Sequence, residues 1–325
     1  MATLKFPKVS VIIPNWNGEH LLKICLPSLK KQSFQDFEVL VVDNGSTDNS
    51  CQYVKKYFPE YKVVELRGNG GFAHAANMGI KICTGKFIVL INNDTSLDKN
   101  CLEFLLKAAD NHSEVGMIAA KMLSFYKRGI IDSAGVYIDS SGHANNIGFG
   151  EKDGSKFNKS GYVFLVTGGG ALFKREVFEK IGFFDERYFA YFEDVDLCLR
   201  AQFMGFKAWF EPKAIIYHIH KATSGKNPQL LAYLQFRNMT QTIIKDFPNT
   251  LLQKDFNWLL ILLVNINTFR YLIFKGFFWQ ALKAQIWILL NLPSLLIKRR
   301  KIQRGIKVSN EYVISQFRKK KIAFW

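Results

Sequence analysis

Over its first hundred residues the chain alternates short β-branched runs with amphipathic helical stretches, and this rhythm restricts its fold more than any other feature. Residues 9–13 (VSVII) have the pattern of a buried strand. A turn at 14–18 follows, then a stretch that puts Leu21, Leu22, Cys25, Leu26 and Leu29 on one helical face. The cycle repeats with strands predicted at 37–42 (FEVLVV), 62–66 and 86–91 (KFIVLI), and helices from 50 through Tyr57 and at 72–83. Strands alternating with helices at this spacing predict an open, largely parallel sheet covered on both faces. Ligands of such sheets bind beyond the carboxyl ends of the strands. Attention therefore falls on Pro14-Asn15-Trp16-Asn17, Asp43-Asn44-Gly45-Ser46, Arg67-Gly68-Asn69 and Asn92-Asn93-Asp94.

Residues 120–220 are richer in glycine and continue the same domain. A strand is predicted at 162–167, ending in Gly168-Gly169-Gly170, then a helix at 194–205 and strands at 207–210 and 214–218. After Leu230 the pattern turns helical, apolar and basic, which suggests two parts, 1–228 and 229–325. From Asp246 onward there are 14 basic and 3 acidic residues, the larger share of a net charge of +17. Residues 256–269 and 284–297 carry no charge, but at 14 residues each they fall short of the 18 expected of a membrane span. Basic residues and Trp258, Trp279 and Trp287 flank or interrupt them, a pattern suited to helices lying in a bilayer interface. The alternative is a helical subdomain packed on the core. Nucleic acid is the poorer match for the charge, because long Leu/Ile runs beside the basic residues suit lipid better than a phosphate backbone. Five cysteines without a C-x-x-C pair fit a reducing compartment. With no secretory signal visible at the start, the expectation is a cytoplasmic protein, peripheral on the inner face of the cell membrane, where the sequons at Asn44 and Asn238 are chance.

Several short motifs carry chemistry. Asp94 closes a strand at the ligand edge, where a carboxylate can hold Mg²⁺ or Mn²⁺ against a diphosphate, since these ions keep few protein ligands. A turn or helix-cap role is the plainer alternative. Asp43 is placed to accept from a ligand N–H such as that of a pyrimidine ring, while Asp48 can cap the next helix. Gly68-Asn69-Gly70-Gly71-Phe72-Ala73 matches a dinucleotide fingerprint, but it follows the third strand instead of the first. Glu193-Asp194-Val195-Asp196 opens a helix. Acids suit a helix N-terminus, yet three of them after the aromatic run 188–192 exceed what capping needs, and a carboxylate against an apolar wall can serve as general base. His218 and His220 end a strand on one face, as ligands, phosphate donors or ordinary surface groups.

In order along about 220 residues, these segments resemble the family 2 glycosyltransferases of the GT-A fold, most closely their rhamnosyltransferase-like branch. The resemblance rests on VSVIIPNWNG (9–18), VVDNGSTDNS (41–50), NGGFAHAANMGI (69–80), INNDT (91–95), the run from Thr167 to Arg200, and YHIHKATSG (217–225). It implies an α/β fold with an open mixed sheet flanked by helices, carrying the C-terminal helical region at the membrane. It further implies inverting transfer from a dTDP- or UDP-linked sugar to a hydroxyl of a lipid-linked saccharide. Pro14, Asn15, Asn17, Asp43 and Asn44 would hold the nucleoside, with Asn69, Gly71, Asn77, Asn92 and Asn93 along the donor. Asp94 matches the last position of the family's D-x-D element, and with His218 would hold the divalent metal. Asn92 stands where that element has its first acid. Asp194 matches the catalytic base, with Glu193 beside it. Two other functions stay open, a sugar-binding or scaffolding module without catalysis and a sugar nucleotidyltransferase. A homo-oligomer is compatible with all three.

Overall fold

The computed structural model describes residues 6–219, 227–254 and 257–319. In chain order the elements are β1 (Val9–Asn15), α1 (Glu19–Lys30), β2 (Phe37–Asp43), α2 (Ser50–Tyr57), β3 (Lys62–Glu65), α3 (Gly71–Ile82), β4 (Phe87–Ile91), β5 (Thr95–Leu97), α4 (Cys101–Asn111) and β6 (Val115–Ser124). There follow β7 (Ile131–Ser133), β8 (Val136–Ile138), β9 (Ala144–Asn146), β10 (Gly161–Val163), β11 (Gly170–Lys174), α5 (Arg175–Ile181), α6 (Glu193–Phe203) and β12 (Lys207–His218). The last helices are α7 (Pro228–Asp246), α8 (Asn249–Gln253), α9 (Asn257–Phe274), α10 (Phe278–Arg304) and α11 (Asn310–Gln316).

The main sheet runs in the order β10-β12-β6-β11-β4-β1-β2-β3, with β5 on β12 and β7 on β6. The strands β4, β1, β2 and β3 are parallel, whereas β11 lies antiparallel between β4 and β6, so the sheet is mixed. Every residue of β1 and β4 is buried, as expected of strands covered on both faces. Alternation divides them. Ile12, Leu40, Ile88 and Leu90 pack towards α3, while Val11, Ile13, Val39, Val41 and Val89 pack with Leu22 and Leu26 of α1 and Leu102 and Leu105 of α4. Each fully buried side chain of this size contributes about 1.5–3 kcal/mol.

Three predicted strands near the end of the sheet differ in extent. The strand expected at 162–167 is the three-residue β10, which starts at Gly161 and stops at Val163, and those at 207–210 and 214–218 are one strand, β12, with a register irregularity between Glu211 and Ile215. Pro212 lies inside that irregularity. Lacking an N–H, it is tolerated where the ladder is interrupted.

The apolar C-terminal segments are also longer than their uncharged runs. The helices α9 and α10 have 18 and 27 residues and are long and apolar enough, by length and composition, to cross a membrane. The shortfall read from the sequence therefore does not hold for the helices themselves, which continue through Arg270 and Lys283 because long basic side chains can lie along a helix with their charged ends free. One face of α10 packs on the protein through Ala281, Ala284, Ile288 and Leu295, while Trp279, Leu289, Leu290 and Ile297 on it are exposed.

This helical region is joined to the sheet half by buried charge. Lys245 of α7, 1% exposed, pairs with Asp185 at 2.9 Å and with Asp196 of α6. Lys298 of α10 reaches Asp185 at 2.6 Å, and Arg200 holds Asp196 at 2.7 Å. Removing one partner of such a pair leaves a bare buried charge and costs about 3–5 kcal/mol.

Candidate active site

The strand ends predicted to bind ligand are brought together by register. Asn15 lies opposite Asp43, and β1 is flanked by β2 and β4. Buried Asn15 is the hub: its Nδ2 donates to Asp43 Oδ1 at 2.9 Å and its Oδ1 accepts from Asn93 Nδ2 at 2.7 Å. Asp43 also accepts from the Ser46 amide at 2.8 Å and the Ser46 hydroxyl at 2.6 Å. Pro14 is buried beside this hub, and Trp16 next to it is 42% exposed at the edge. Asn17, at φ 47°, turns its Oδ1 to the Thr47 amide at 2.7 Å, so it braces the 43–50 turn. Asp48 accepts from Ser50 N at the head of α2 and from Glu19 N at the head of α1, the capping role expected of it extended to a second helix.

The glycine-rich turn before α3 acts through close approach. Asn44 Nδ2 donates to Gly71 O at 3.0 Å, and Asn69 Oδ1 accepts from Gly71 N at 2.9 Å. Gly71 has φ +85°, and a Cβ there would stand 2.3 Å from Phe189 O. Only glycine lets the segment before the acidic pair lie so near α3. Asn77, six residues further along α3, is buried, donating to Phe184 O at 3.0 Å and Glu186 Oε1 at 2.9 Å and accepting from Phe184 N at 3.0 Å. Its side chain ties α3 to the 184–186 segment.

At the end of β4, Asp94 is 7% exposed and its Oδ1 makes no hydrogen bond among the described residues. That oxygen lies 3.3 Å from His218 Nε2, whose ring is held from the other side by Asp132 Oδ2, 2.8 Å from Nδ1. Burial disfavours the imidazolium, but Asp132 and Asp94 outweigh it and push the His218 pKa up to about 10. Among the described residues no three ligating side chains converge. One buried carboxylate oxygen facing an imidazole that a second carboxylate orients suits a hard divalent ion that takes its other ligands from phosphate and water, provided the ion displaces the ring proton. His220 and the 223–225 segment lie outside the described residues.

The acidic pair opens α6 on the far side of the glycine run. Asp194 Oδ2 accepts from Gly168 N at 2.9 Å and its Oδ1 from Val195 N at 2.8 Å. Asp194 keeps part of its surface open, yet shielding by the surrounding protein outweighs both donors and raises its pKa. Glu193, 7% exposed and with no hydrogen bond to Oε2 among the described residues, is pushed well above the carboxylate range by burial and by the charge of Asp194. Gly169 O accepts from Asn92 N at 3.1 Å, and the Asn92 side chain lies where a Cβ on Gly169 would be, 2.4 Å from its Nδ2. Two consecutive glycines thus separate the Asp194 contact from the Asn92 contact. Asp196 is not part of this edge: its partners are Arg200 and Lys245. That accounts for the third acid of the motif.

A facing Asp94 and His218 from two neighbouring parts of the sheet, with Gly168-Gly169 bonded to Asp194 on one residue and Asn92 on the next, is an arrangement that related proteins can identify. The glycosyl transferase family 2 model matches residues 10–182. The chain belongs to that family. This family 2 glycosyl transferase is 29% identical over 228 residues to the O-antigen biosynthesis protein RfbC of Myxococcus xanthus, spanning 67% of this chain and 18% of that protein. It is 37% identical over 132 residues to the poly(ribitol-phosphate) beta-N-acetylglucosaminyltransferase TarS of Staphylococcus aureus, spanning 39% of this chain and 23% of TarS. The chain therefore spans a quarter or less of the length of these two relatives. Among solved structures, the mannosyltransferase PcManGT of Pyrobaculum calidifontis in complex with GDP-Man and Mn²⁺ superposes with a TM-score of 0.56 at 19% identity, covering 93% of this chain and 86% of that one. GalNAc-T7 with UDP, GalNAc and Mn²⁺ gives 0.60 at 15% identity over 74% and 48%. These likenesses carry the GT-A fold.

Two groups escaped the sequence reading. Asp132 lies on β7 in the unremarkable run IIDSAG, 86 residues from the His218 it orients. The residues of α7 that reach the 187–191 backbone lie in a helix assigned to the C-terminal region. Neither carries a local signal.

Proposed function

We propose that this family 2 enzyme is an inverting transferase that moves a sugar, rhamnose by its branch, from a dTDP- or UDP-linked donor to a hydroxyl of a lipid-linked saccharide in cell-surface polysaccharide synthesis. The observation that carries this reading is the pair of contacts on consecutive glycines, Gly168 N to the Asp194 carboxylate and Gly169 O from Asn92 N, just after β4. The O-antigen and poly(ribitol-phosphate) roles named for its relatives support the pathway class.

In this reading the Asn15, Asp43 and Asn93 network holds the nucleoside edge rigid. Asp94 would hold a Mg²⁺ or Mn²⁺, with His218 as second ligand once Nε2 has given up its proton, and the ion would offset the charge growing on the leaving diphosphate. His218 stays oriented by Asp132, and its own positive charge serves the same diphosphate when the ring is protonated. Asp194 takes the proton from the acceptor hydroxyl as that oxygen bonds to the anomeric carbon. The bond from that carbon to the diphosphate oxygen breaks on the opposite side, so one displacement inverts the centre and releases the nucleoside diphosphate. Glu193, whose neutral form burial and the charge of Asp194 favour, can donate a hydrogen bond at the acceptor side when protonated.

The exposed side chains of α9 and α10, among them Trp258, Leu263, Trp279 and Leu290, with exposed Arg300 and Lys301 on α10, support attachment to the anionic inner face of a membrane. A 540 Å³ groove between α7 and α10, walled by Leu230, Tyr233, Trp287 and Leu290 with Lys283 at its edge, supports an acceptor that is part lipid.

The test is incubation of the full chain with a panel of dTDP-, UDP- and GDP-sugars and Mg²⁺ or Mn²⁺, scoring release of nucleoside diphosphate. In a parallel incubation with nucleoside triphosphates and sugar 1-phosphates, release of pyrophosphate would make the protein a nucleotidyltransferase, and no turnover with any donor in the presence of membrane-extracted acceptor would make it a binding module.

A further inference from the structure

Residues 187–192 lead directly into Glu193 and Asp194, and three of them hold backbone that L residues seldom adopt. Phe189, Tyr191 and Phe192 have φ of 65°, 67° and 68°. Such conformations cost roughly 1–3 kcal/mol each and persist only where the surroundings over-determine them.

Those surroundings can be accounted for carbonyl by carbonyl. Arg237 Nη2 donates to Arg187 O at 2.8 Å and to Tyr188 O at 2.9 Å. Asn238 Nδ2 donates to Tyr188 O at 3.0 Å, Ala190 O at 2.8 Å and Tyr191 O at 2.7 Å. Phe189 O accepts from Ala73 N of α3 at 3.2 Å, and Phe192 O from Asp196 N within α6 at 2.9 Å. The two α7 residues are themselves fixed. Asn238 Oδ1 accepts from Arg237 Nε and Gln241 Nε2, both at 2.9 Å, and the Arg237 guanidinium sits 4.8 Å from the Trp287 ring of α10 and 5.0 Å from the Tyr233 ring. Asn238 heads a sequon, but it is 0% exposed, and its amide is fully engaged in this contact.

We propose that Arg237 and Asn238 are positioning residues for transfer: by holding the 187–191 carbonyls they aim the start of α6, and with it the Asp194 carboxylate, at the acceptor hydroxyl. The proposal rests on the reading of Asp194 as base. It makes the C-terminal helices part of the transfer machinery as well as a membrane-facing surface. Misplacing a reacting group by about 1 Å can cost roughly 10²-fold in rate without weakening ligand binding.

The experiment uses the full chain and whichever nucleotide sugar the wild type turns over, with kcat and donor KM from nucleoside diphosphate release and UDP, dTDP and GDP affinity by calorimetry. Asn238→Asp keeps the side-chain size and loses both N–H donors. The expected result is a kcat roughly 10- to 100-fold lower, with donor KM and nucleoside diphosphate affinity within about twofold of wild type. Arg237→Lys is expected to lower kcat alone, by less. Thr242→Val serves as the structural control, because Thr242 lies on the same face of α7 and bonds the Tyr188 hydroxyl at 2.8 Å without touching a 187–191 carbonyl. It should lower Tm and leave kcat unchanged. Wild-type kcat in both clamp variants, a loss no larger than in Thr242→Val, a parallel loss of donor affinity, or failure to recover either variant folded would overturn the proposal. Asp194→Asn run alongside separates the two readings: turnover retained there removes the base, whereas turnover lost there with normal clamp variants removes only the clamp.

Discussion

The amide of Gly168 donates to Asp194 Oδ2 at 2.9 Å, so the carboxylate proposed as base is fixed by the glycine run that also borders the Asp94 edge. Asp194→Asn keeps the side-chain size but offers one acceptor to the two backbone N–H groups of Gly168 and Val195, and it cannot take a proton. Its transfer rate should fall about 10²- to 10⁴-fold with donor binding intact. Because the Asp194 pKa is raised, the wild-type kcat should fall with decreasing pH through a midpoint above the ordinary Asp value of about 3.9, and the residual rate of the variant should lack that limb. A rate-pH series on both proteins checks it, and unchanged turnover in the variant refutes the assignment.

Asp94 is a buried carboxylate whose Oδ1 lies 3.3 Å from His218 Nε2, a site where a divalent ion would compete with the protonated ring for that oxygen. Nucleoside diphosphate affinity measured by calorimetry should rise with Mn²⁺ in the wild type and lose that increment in Asp94→Ala. Identical affinity with and without chelator in the wild type would count against the site.

Glu193 gives a pH effect of definite sign. Its folded-state pKa lies well above the unfolded value of about 4.3, so its contribution to stability is complete below that value and is lost as pH climbs through the folded pKa. Glu193→Gln removes the ionisation. Relative to wild type, the variant should gain Tm on the alkaline side and gain nothing at acid pH. A Tm difference that does not change with pH would show that the buried carboxyl is not held neutral.

The helical region cannot be tested for membrane attachment by simple truncation. Lys298 bonds Asp185 at 2.6 Å and Arg299 donates to Ile244 O at 2.8 Å, so removing α10 uncovers buried charge and opens the fold. Leu263→Lys with Leu290→Lys instead changes two exposed positions, 52% and 77% accessible. Sedimentation with phosphatidylglycerol vesicles should fall in the double variant while Tm stays within a degree or two. Equal sedimentation of both proteins would leave the exposed face without a role at the membrane.

Much of the sheet edge was legible because its signals are local. Buried runs such as VSVII and KFIVLI, a helical stripe of Leu21, Leu22, Cys25, Leu26 and Leu29, and polar turns after each strand report their own periodicity whatever lies elsewhere. Parallel register then forces Asn15, Asp43 and Asn93 together. What the fold alone decided is which distant group each polar side chain meets. Asp132 and His218, Asp196 and Lys245, and Asn238 and the carbonyl of Tyr191 are pairs of this kind. The same distinction separates Asp194 from Asp196, two residues apart on one helix, because a 3.6-residue repeat turns one to the glycine edge and the other to the buried charges of α7. A sequence states the period of each element. The partners are set by how those elements pack, and hence so are burial and charge.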